Sequence, residues 1–279
     1  MFIDISKLEN RNCLNNFFYD LLKSVNNKII LNHFQKLTND EIFTKSDKDD
    51  YVTLYDKKAE EYLIRKINQK FSYVKVIGEE SSFVKNINLL EIDDNQYFTI
   101  DPIDGTKNYI NKNKNFCTMI SLIQKKKPIA CFIYYPLFNK YISSFKNFGT
   151  KIYDFKKNIK SVLILNKKFT NLGTGGTKGM PEPKRNKVLK NFNSNFKRCF
   201  IGSAGVETLM LASNEVDFIF HGRVTPWDHS PMDLIIRESG GEVLMFNNKV
   251  SFNIFSKGPI LATKTISDWE LIYSKLNVI

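Results

Sequence analysis

The 279-residue sequence predicts an α/β protein of the α+β kind, and three observations predict it. Apolar, β-prone runs end abruptly in carboxylates, Tyr73 to Gly78 leading into Glu79-Glu80 and Tyr97 to Ile100 leading into Asp101-Pro102-Ile103-Asp104. Stretches of helical periodicity precede them. After residue 115, three strand-like runs follow with turn residues at each break, the pattern of an antiparallel meander.

In chain order, Phe2 to about Leu37 reads as helical, with Phe17, Leu21, Ile29 and Phe34 among its apolar positions. A polar loop, Lys45 to Asp56, leads into a helix whose inward face is Ala59, Leu63 and Ile67. Asp56 lies at its start, where a capping role alone would explain it. Phe116 to Ile123, Ile129 to Tyr135 and Tyr141 to Phe145 form the meander, and a second unit begins near Gly149, dividing the chain into 1–148 and 149–279. Ser161 to Leu165 reads as a strand and the glycine-rich Asn171 to Lys184 as a flexible loop, since no glycine immediately precedes Lys178 as a phosphate-binding loop requires. Gly202-Ser203-Ala204-Gly205 opens a helix, whose N-terminus suits a substrate hydroxyl or phosphate oxygen. Val216 to Phe220 is a strand, Asp228 stands before a helix ending at Gly240-Gly241, and two more strands and a helix from about Asp268 close the chain.

The stretch Asp101 to Thr106 carries the densest chemistry. Pro102 fixes its own φ and lacks an N–H, and Gly105 can take a positive φ, so the chain is expected to turn sharply after Ile100. Such a turn aims Asp101, the Ile103 carbonyl and Asp104 at one point, followed by the N–H groups of Gly105 and Thr106. Hard cations take clustered oxygens, and phosphates take metal ions and free backbone donors.

Composition narrows the classes. No run is long enough to cross a bilayer, no secretory signal opens the chain, and Cys13, Cys117, Cys131 and Cys199 lie too far apart for a zinc knuckle, so a cytoplasmic protein with buried free thiols is expected. The net charge of +12 is concentrated between Lys151 and Phe200, where 13 Lys and Arg face two acids. That segment raises a polyanion or nucleic-acid reading, but no recognised nucleic-acid module accompanies it; a solvated lysine-rich surface accounts for it more simply.

Taken together, Asp56, Gly78-Glu79-Glu80, Asp101-Pro102-Ile103-Asp104-Gly105-Thr106 and Trp227-Asp228 resemble, in order and spacing, the signature of the inositol monophosphatase family of lithium-sensitive, Mg²⁺-dependent phosphatases. The resemblance implies a layered α/β/α/β/α sandwich, commonly homodimeric, that hydrolyses a small polyol or sugar phosphate. It implies one Mg²⁺ on Glu79, Asp101 and the Ile103 carbonyl, and a second on Asp101, Asp104 and Asp228. Thr106, with Asp56 and Glu79, would position and deprotonate the attacking water, while the N–H groups of Gly105 and Thr106 meet the phosphate. Ser203, Ala204 and His221 fall at substrate contacts.

Two departures bear on substrate. His221 stands seven residues before Asp228, where many inositol phosphatases carry a glutamate that contacts inositol hydroxyls, and Ser230-Pro231-Met232 replaces small residues after His229. Histidinol-phosphate and 3′(2′),5′-bisphosphate nucleotide phosphatases therefore stay open as alternatives, as does a catalytically idle binding protein.

Overall fold

The computed structural model describes residues 2–45, 50–85 and 95–276; Ser46 to Asp49 of the expected polar loop lie outside them. The chain runs α1 (Leu8–Val25), a π-helical turn (Asn26–Ile30), α2 (Leu31–His33), a 3₁₀ turn (Asn39–Glu41), β1 (Ile42–Thr44), β2 (Tyr51–Thr53), α3 (Leu54–Lys70), β3 (Lys75–Gly78) and α4 (Glu79–Lys85). It continues with β4 (Tyr97–Asp104), α5 (Thr106–Ile110), β5 (Cys117–Gln124), β6 (Lys127–Tyr135), β7 (Lys140–Phe145), β8 (Gly149–Asp154) and β9 (Ile159–Val162). The remainder is β10 (Leu172–Gly176), α6 (Lys184–Asn195), β11 (Lys197–Cys199), α7 (Ala204–Ala212), β12 (Phe218–His221), α8 (Pro226–Glu238), β13 (Glu242–Met245), β14 (Ile260–Thr263) and α9 (Ile266–Leu276).

Two large sheets organise these elements, seven strands in the order β3-β4-β5-β6-β7-β8-β9 and five in the order β11-β10-β12-β14-β13, while β1 and β2 pair as a small antiparallel ribbon. Because successive side chains on a strand face opposite ways, each sheet buries two faces. Phe98, Ile100, Ile120, Leu122 and Phe132 pack against Phe18, Leu22 and Leu63 of α1 and α3. From the opposite face, Met119, Cys131 and Ile133 meet Leu209, Met232 and Ile235 of α7 and α8, which also cover Ile219, Ile260 and Ala262 of the second sheet. Phe218, Phe220 and Leu261 then face Phe192, Trp269 and Ile272 of α6 and α9. The layers are α/β/α/β/α, with α7 and α8 between the sheets.

Four expectations change. The first sheet continues through β8 and β9, so the change of sheet falls between Val162 and Leu172 rather than at 148/149. Residues 172–176 are strand β10, not a loop. Its parallel partner β12 presents Phe218 and Phe220, and only glycine leaves room: a Cβ on Gly173 would lie 2.2 Å from Phe218 Cζ, and one on Gly175 2.1 Å from the Phe220 carbonyl oxygen. Nor does β4 stop at Ile100. Pro102 interrupts the ladder, the register shifts between Asp101 and Asp104, and pairing resumes at Asp104 opposite Cys117. The turn comes at Gly105, φ 89°. Of the cysteines only Cys117 and Cys131 are buried; Cys13 is exposed and Cys199 intermediate.

Gly173→Val is expected to lower the midpoint of denaturant unfolding by the equivalent of about 1–3 kcal/mol, the usual cost of overpacking. An unchanged midpoint would show that Phe218 has space to yield.

Candidate metal centre and active site

The site grows from five helix starts, those of α3, α4, α5, α7 and α8, and from the end of strand β4. At the end of β3, Gly78 lets the Glu60 carboxylate reach the start of α4, where it accepts the N–H groups of Glu80 and Ser81, both at 2.8 Å. That fixes Glu79 as the first residue of α4. At the start of α3, the Thr53 hydroxyl and N–H donate to Asp56 Oδ2 at 2.5 and 2.7 Å. The opposite oxygen, Oδ1, accepts the Thr106 hydroxyl at 3.1 Å, which also lies 3.0 Å from the Ile103 carbonyl. Asp56 is both the cap and part of the site.

Asp104 ties the two sheets together. Its carboxylate accepts the Ser203 hydroxyl (2.5 Å) and the N–H groups of Ala204 (3.1 Å) and Gly205 (2.7 Å), and so caps α7 from outside. Gly205 permits this approach, since a Cβ there would lie 2.3 Å from Cys117 Sγ. The Ser203 hydroxyl and Ala204 N–H, expected at substrate, are thereby engaged by Asp104. Asp228 is the third residue of α8, whose N-cap Thr225 accepts the Asp228 N–H.

Asp101, Asp104 and Asp228 bring ligand oxygens within 4.8 Å of one another. They line a cavity of about 220 Å³ with Glu79, Ile103, Gly105, Thr106, Lys178 and Arg223. Asp56 sits behind Thr106. Ser203, Ala204 and His221 line an adjoining cavity of about 240 Å³ that shares Asp104, Asp228, Lys178 and Arg223 with the first. The sequence-identified residues other than Asp56 therefore line two contiguous spaces, and Asp56 reaches the first through Thr106.

Crowded, buried acids resist ionisation. Burial first, then the charges of Glu79, Asp228 and Asp104, push Asp101 well above the carboxylate range. Burial, then Asp104 and Glu79, raise Asp228 to about 7; burial raises Asp56 to about 6; burial and Glu79 raise Glu80 to about 8. Asp104 also rises through burial, against the hydrogen bonds it accepts. Asp101 Oδ1 is buried without a hydrogen-bond partner. An all-oxygen set with an orphaned carboxylate oxygen fits a hard divalent cation. Lys45 also reaches the cluster and offsets part of its charge, its ammonium lying 2.8 Å from Glu79 and 2.9 Å from Glu80.

Lys45 gave no signal in the sequence, being one lysine in a polar loop. Glu207 did: it is the only charged residue in the otherwise apolar or small α7, 2% exposed, and its Oε2 lies 2.6 Å from His221 Nε2. His221 Nδ1 is 2.9 Å from His229 Nε2. Burial would lower the His221 pKa, but the Glu207 carboxylate reverses the direction; burial and then His221 hold His229 well below its ordinary value.

The inositol monophosphatase family is matched over residues 10–277. The chain belongs to the inositol monophosphatase family. It is 31% identical to inositol monophosphatase 1 of Saccharomyces cerevisiae over 71% of this chain and 70% of that protein. It is 28% identical to the 3′(2′),5′-bisphosphate nucleotidase CysQ of Haemophilus influenzae, covering 76% of this chain and 78% of that one. The Thermotoga maritima IMPase structure superposes with a TM-score of 0.78 at 21% identity, over 94% of this chain and 96% of that one, and shows the same fold. As a family member this chain is a metal-dependent phosphoric monoester hydrolase acting on a small phosphorylated substrate.

The raised carboxyls bind protons more tightly when folded than when unfolded. Their contribution is fully present below the unfolded value and lost as pH rises through the folded one. The metal-free protein's thermal midpoint is therefore expected to fall between roughly pH 4 and pH 8, the window set by Asp56, Asp228 and Glu80. Divalent metal should raise the midpoint, by more near pH 8 than near pH 5, because it displaces those protons. A metal-free midpoint that climbs with pH would contradict this cluster.

Proposed function

We propose that this phosphatase uses Mg²⁺ to hydrolyse a small polyol or sugar phosphate by attack of water. The observation that carries the reading is the orphaned Asp101 oxygen among Asp104, Asp228 and Glu79. Glu79, Asp101 and the Ile103 carbonyl would hold one ion, and Asp101, Asp104 and Asp228 another. Held by those residues, Mg²⁺ would supply positive charge that lowers the pKa of water and offsets the negative charge of the phosphate.

The chain's own residues supply the rest. The Thr106 hydroxyl takes a proton from the attacking water and passes its own to Asp56 Oδ1, 3.1 Å away and poised by burial at about 6. Glu79 orients that water beside Thr106, and the N–H groups of Gly105 and Thr106 receive the phosphate oxygens. The free thiols Cys117 and Cys131 suit a reducing, cytoplasmic setting, and a homodimer is the expected assembly.

A second reading concerns a doubly anionic substrate. Lys178 and Arg223 line both cavities, and exposed Phe200 borders the outer one. Two cations and an aromatic face suit a bisphosphorylated nucleotide.

Phosphate release from a panel of inositol, sugar, histidinol and nucleotide phosphates should single out at least one good substrate in the presence of Mg²⁺. A folded, metal-binding protein that cleaves none refutes the proposal. Asp101→Asn is expected to cost more than about 100-fold in kcat, beyond the loss of a mere outer partner; near-normal turnover would remove Asp101 from the metal site. Under the second reading, Lys178→Ala should depress kcat/KM about tenfold for a bisphosphate but not for a polyol monophosphate, one lost charged contact being worth about that factor. Equal losses for both would discard it.

A further inference from the structure

Far from the acid cluster, α1 carries a stripe that a core-facing helix would make apolar. Leu8, Arg11, Asn12, Asn15 and Asn16 recur at i, i+3, i+4, i+7 and i+8 and so share one face. That face is partly open to water, with Leu8 63% exposed and Asn12 and Asn16 exposed as well. It walls a cavity of about 400 Å³ whose other side is the seven-stranded sheet, lined there by buried Ser143 of β7, half-buried Tyr153 of β8 and the exposed Lys151 of β8 and Lys160 of β9. A volume of this size suits a small organic ligand. None of its lining residues borders the acidic cavity or its neighbour.

The wall has a definite chemistry. Arg11, Lys151 and Lys160 supply three cations, and no acid lines the cavity among the described residues. Arg11 is held in place, its Nη1 donating to the carbonyls of Ile5 (2.7 Å) and Ser6 (2.8 Å) and its guanidinium lying 3.6 Å from the centre of the Phe148 ring. Lys160 Nζ lies 4.9 Å from the Tyr153 ring centre. Ser143, 2% exposed, adds a hydroxyl.

We infer that this cavity is a second ligand site, for a small phosphorylated molecule with a hydroxylated body. The cations receive the phosphate, a dianion that a site without acids does not repel. The Ser143 hydroxyl bonds a ligand hydroxyl, and the Asn12 and Asn16 amides bond further ones. The inference is independent of the substrate assigned to the acidic site.

Calorimetric titration of the full-length protein with ribose 5-phosphate and inorganic phosphate, in a chelator so that the acids recruit no metal, tests it. Ribose 5-phosphate should bind, more tightly than inorganic phosphate. The exposed pair Lys151→Glu/Lys160→Glu should weaken it at least about tenfold, the factor expected for a lost charged contact, while Lys178→Glu at the catalytic mouth should leave it unchanged. Ser143→Ala should weaken ribose 5-phosphate more than inorganic phosphate. Absence of binding, equal binding by the Lys151/Lys160 variant, or loss on Lys178→Glu overturns the site. If the charge reversal unfolds the protein, Lys151→Ala/Lys160→Ala carries the same expectation, and unchanged affinity there overturns it as well.

Discussion

The rest of the structure depends on keeping Asp101, Asp104 and Asp228 together against their mutual repulsion. Ligand oxygens within 4.8 Å, removed from water, favour neutral carboxyls over charged ones. The fold answers each acid differently. Asp104 is met by the donors that open α7, and Asp228 stands in the first turn of α8, so two helix N-termini offset negative charge. Asp101, nearest the middle, keeps an oxygen with no partner. A cation would satisfy that oxygen and relieve the repulsion at once, and in this way the packing supports the metal reading.

That arrangement also explains why the layers are inseparable at the site. Asp104 comes from the first sheet and its partners Ser203, Ala204 and Gly205 from the start of α7, between the sheets. Glycine makes the contact possible, because any side chain at Gly205 would strike Cys117 and Met119 of β5. On the other side, Gly173 and Gly175 let β10 lie against the aromatic β12, which brings Lys178 and Arg223 to the mouth of the cavity. Small residues here set distances between sheets rather than mark loops.

The same contrast decides what could be read from sequence. Asp101 to Thr106 was legible because strand, proline, acids and glycine are local signals within ten residues, and Asp56 and Asp228 because both occupy the first turn of a helix. The layer order came through the resemblance those residues carry. By contrast, β10 was illegible: its glycines look flexible until Phe218 and Phe220, more than forty residues later, arrive beside them. The extension of the first sheet through β9 escaped for a related reason, since all four of its residues are exposed and no alternation marks them. Lys45 meets Glu79 only in three dimensions. Glu207, a lone charge on a buried helix, was a visible signal of an internal partner, and His221 is that partner.

The substrate end follows a different logic from the metal end. His221 occupies the position where the resemblance places a hydroxyl-reading glutamate, yet both its nitrogens are engaged, one by Glu207 and one by His229. Ser203 and Ala204 give their donors to Asp104. The polar groups on this wall are thus satisfied by one another, and a polyol entering here finds few free partners. What still faces the cavity is charge and shape: Lys178 and Arg223 at the mouth, and Phe200, 75% exposed. Under the proposed function the acids would carry the reaction, and discrimination among phosphates would pass to the cations and to the flat apolar surface of Phe200. Selectivity of that kind follows the ligand's net charge more closely than the number or stereochemistry of its hydroxyls, because a charged contact outweighs a neutral hydrogen bond made in exchange for water.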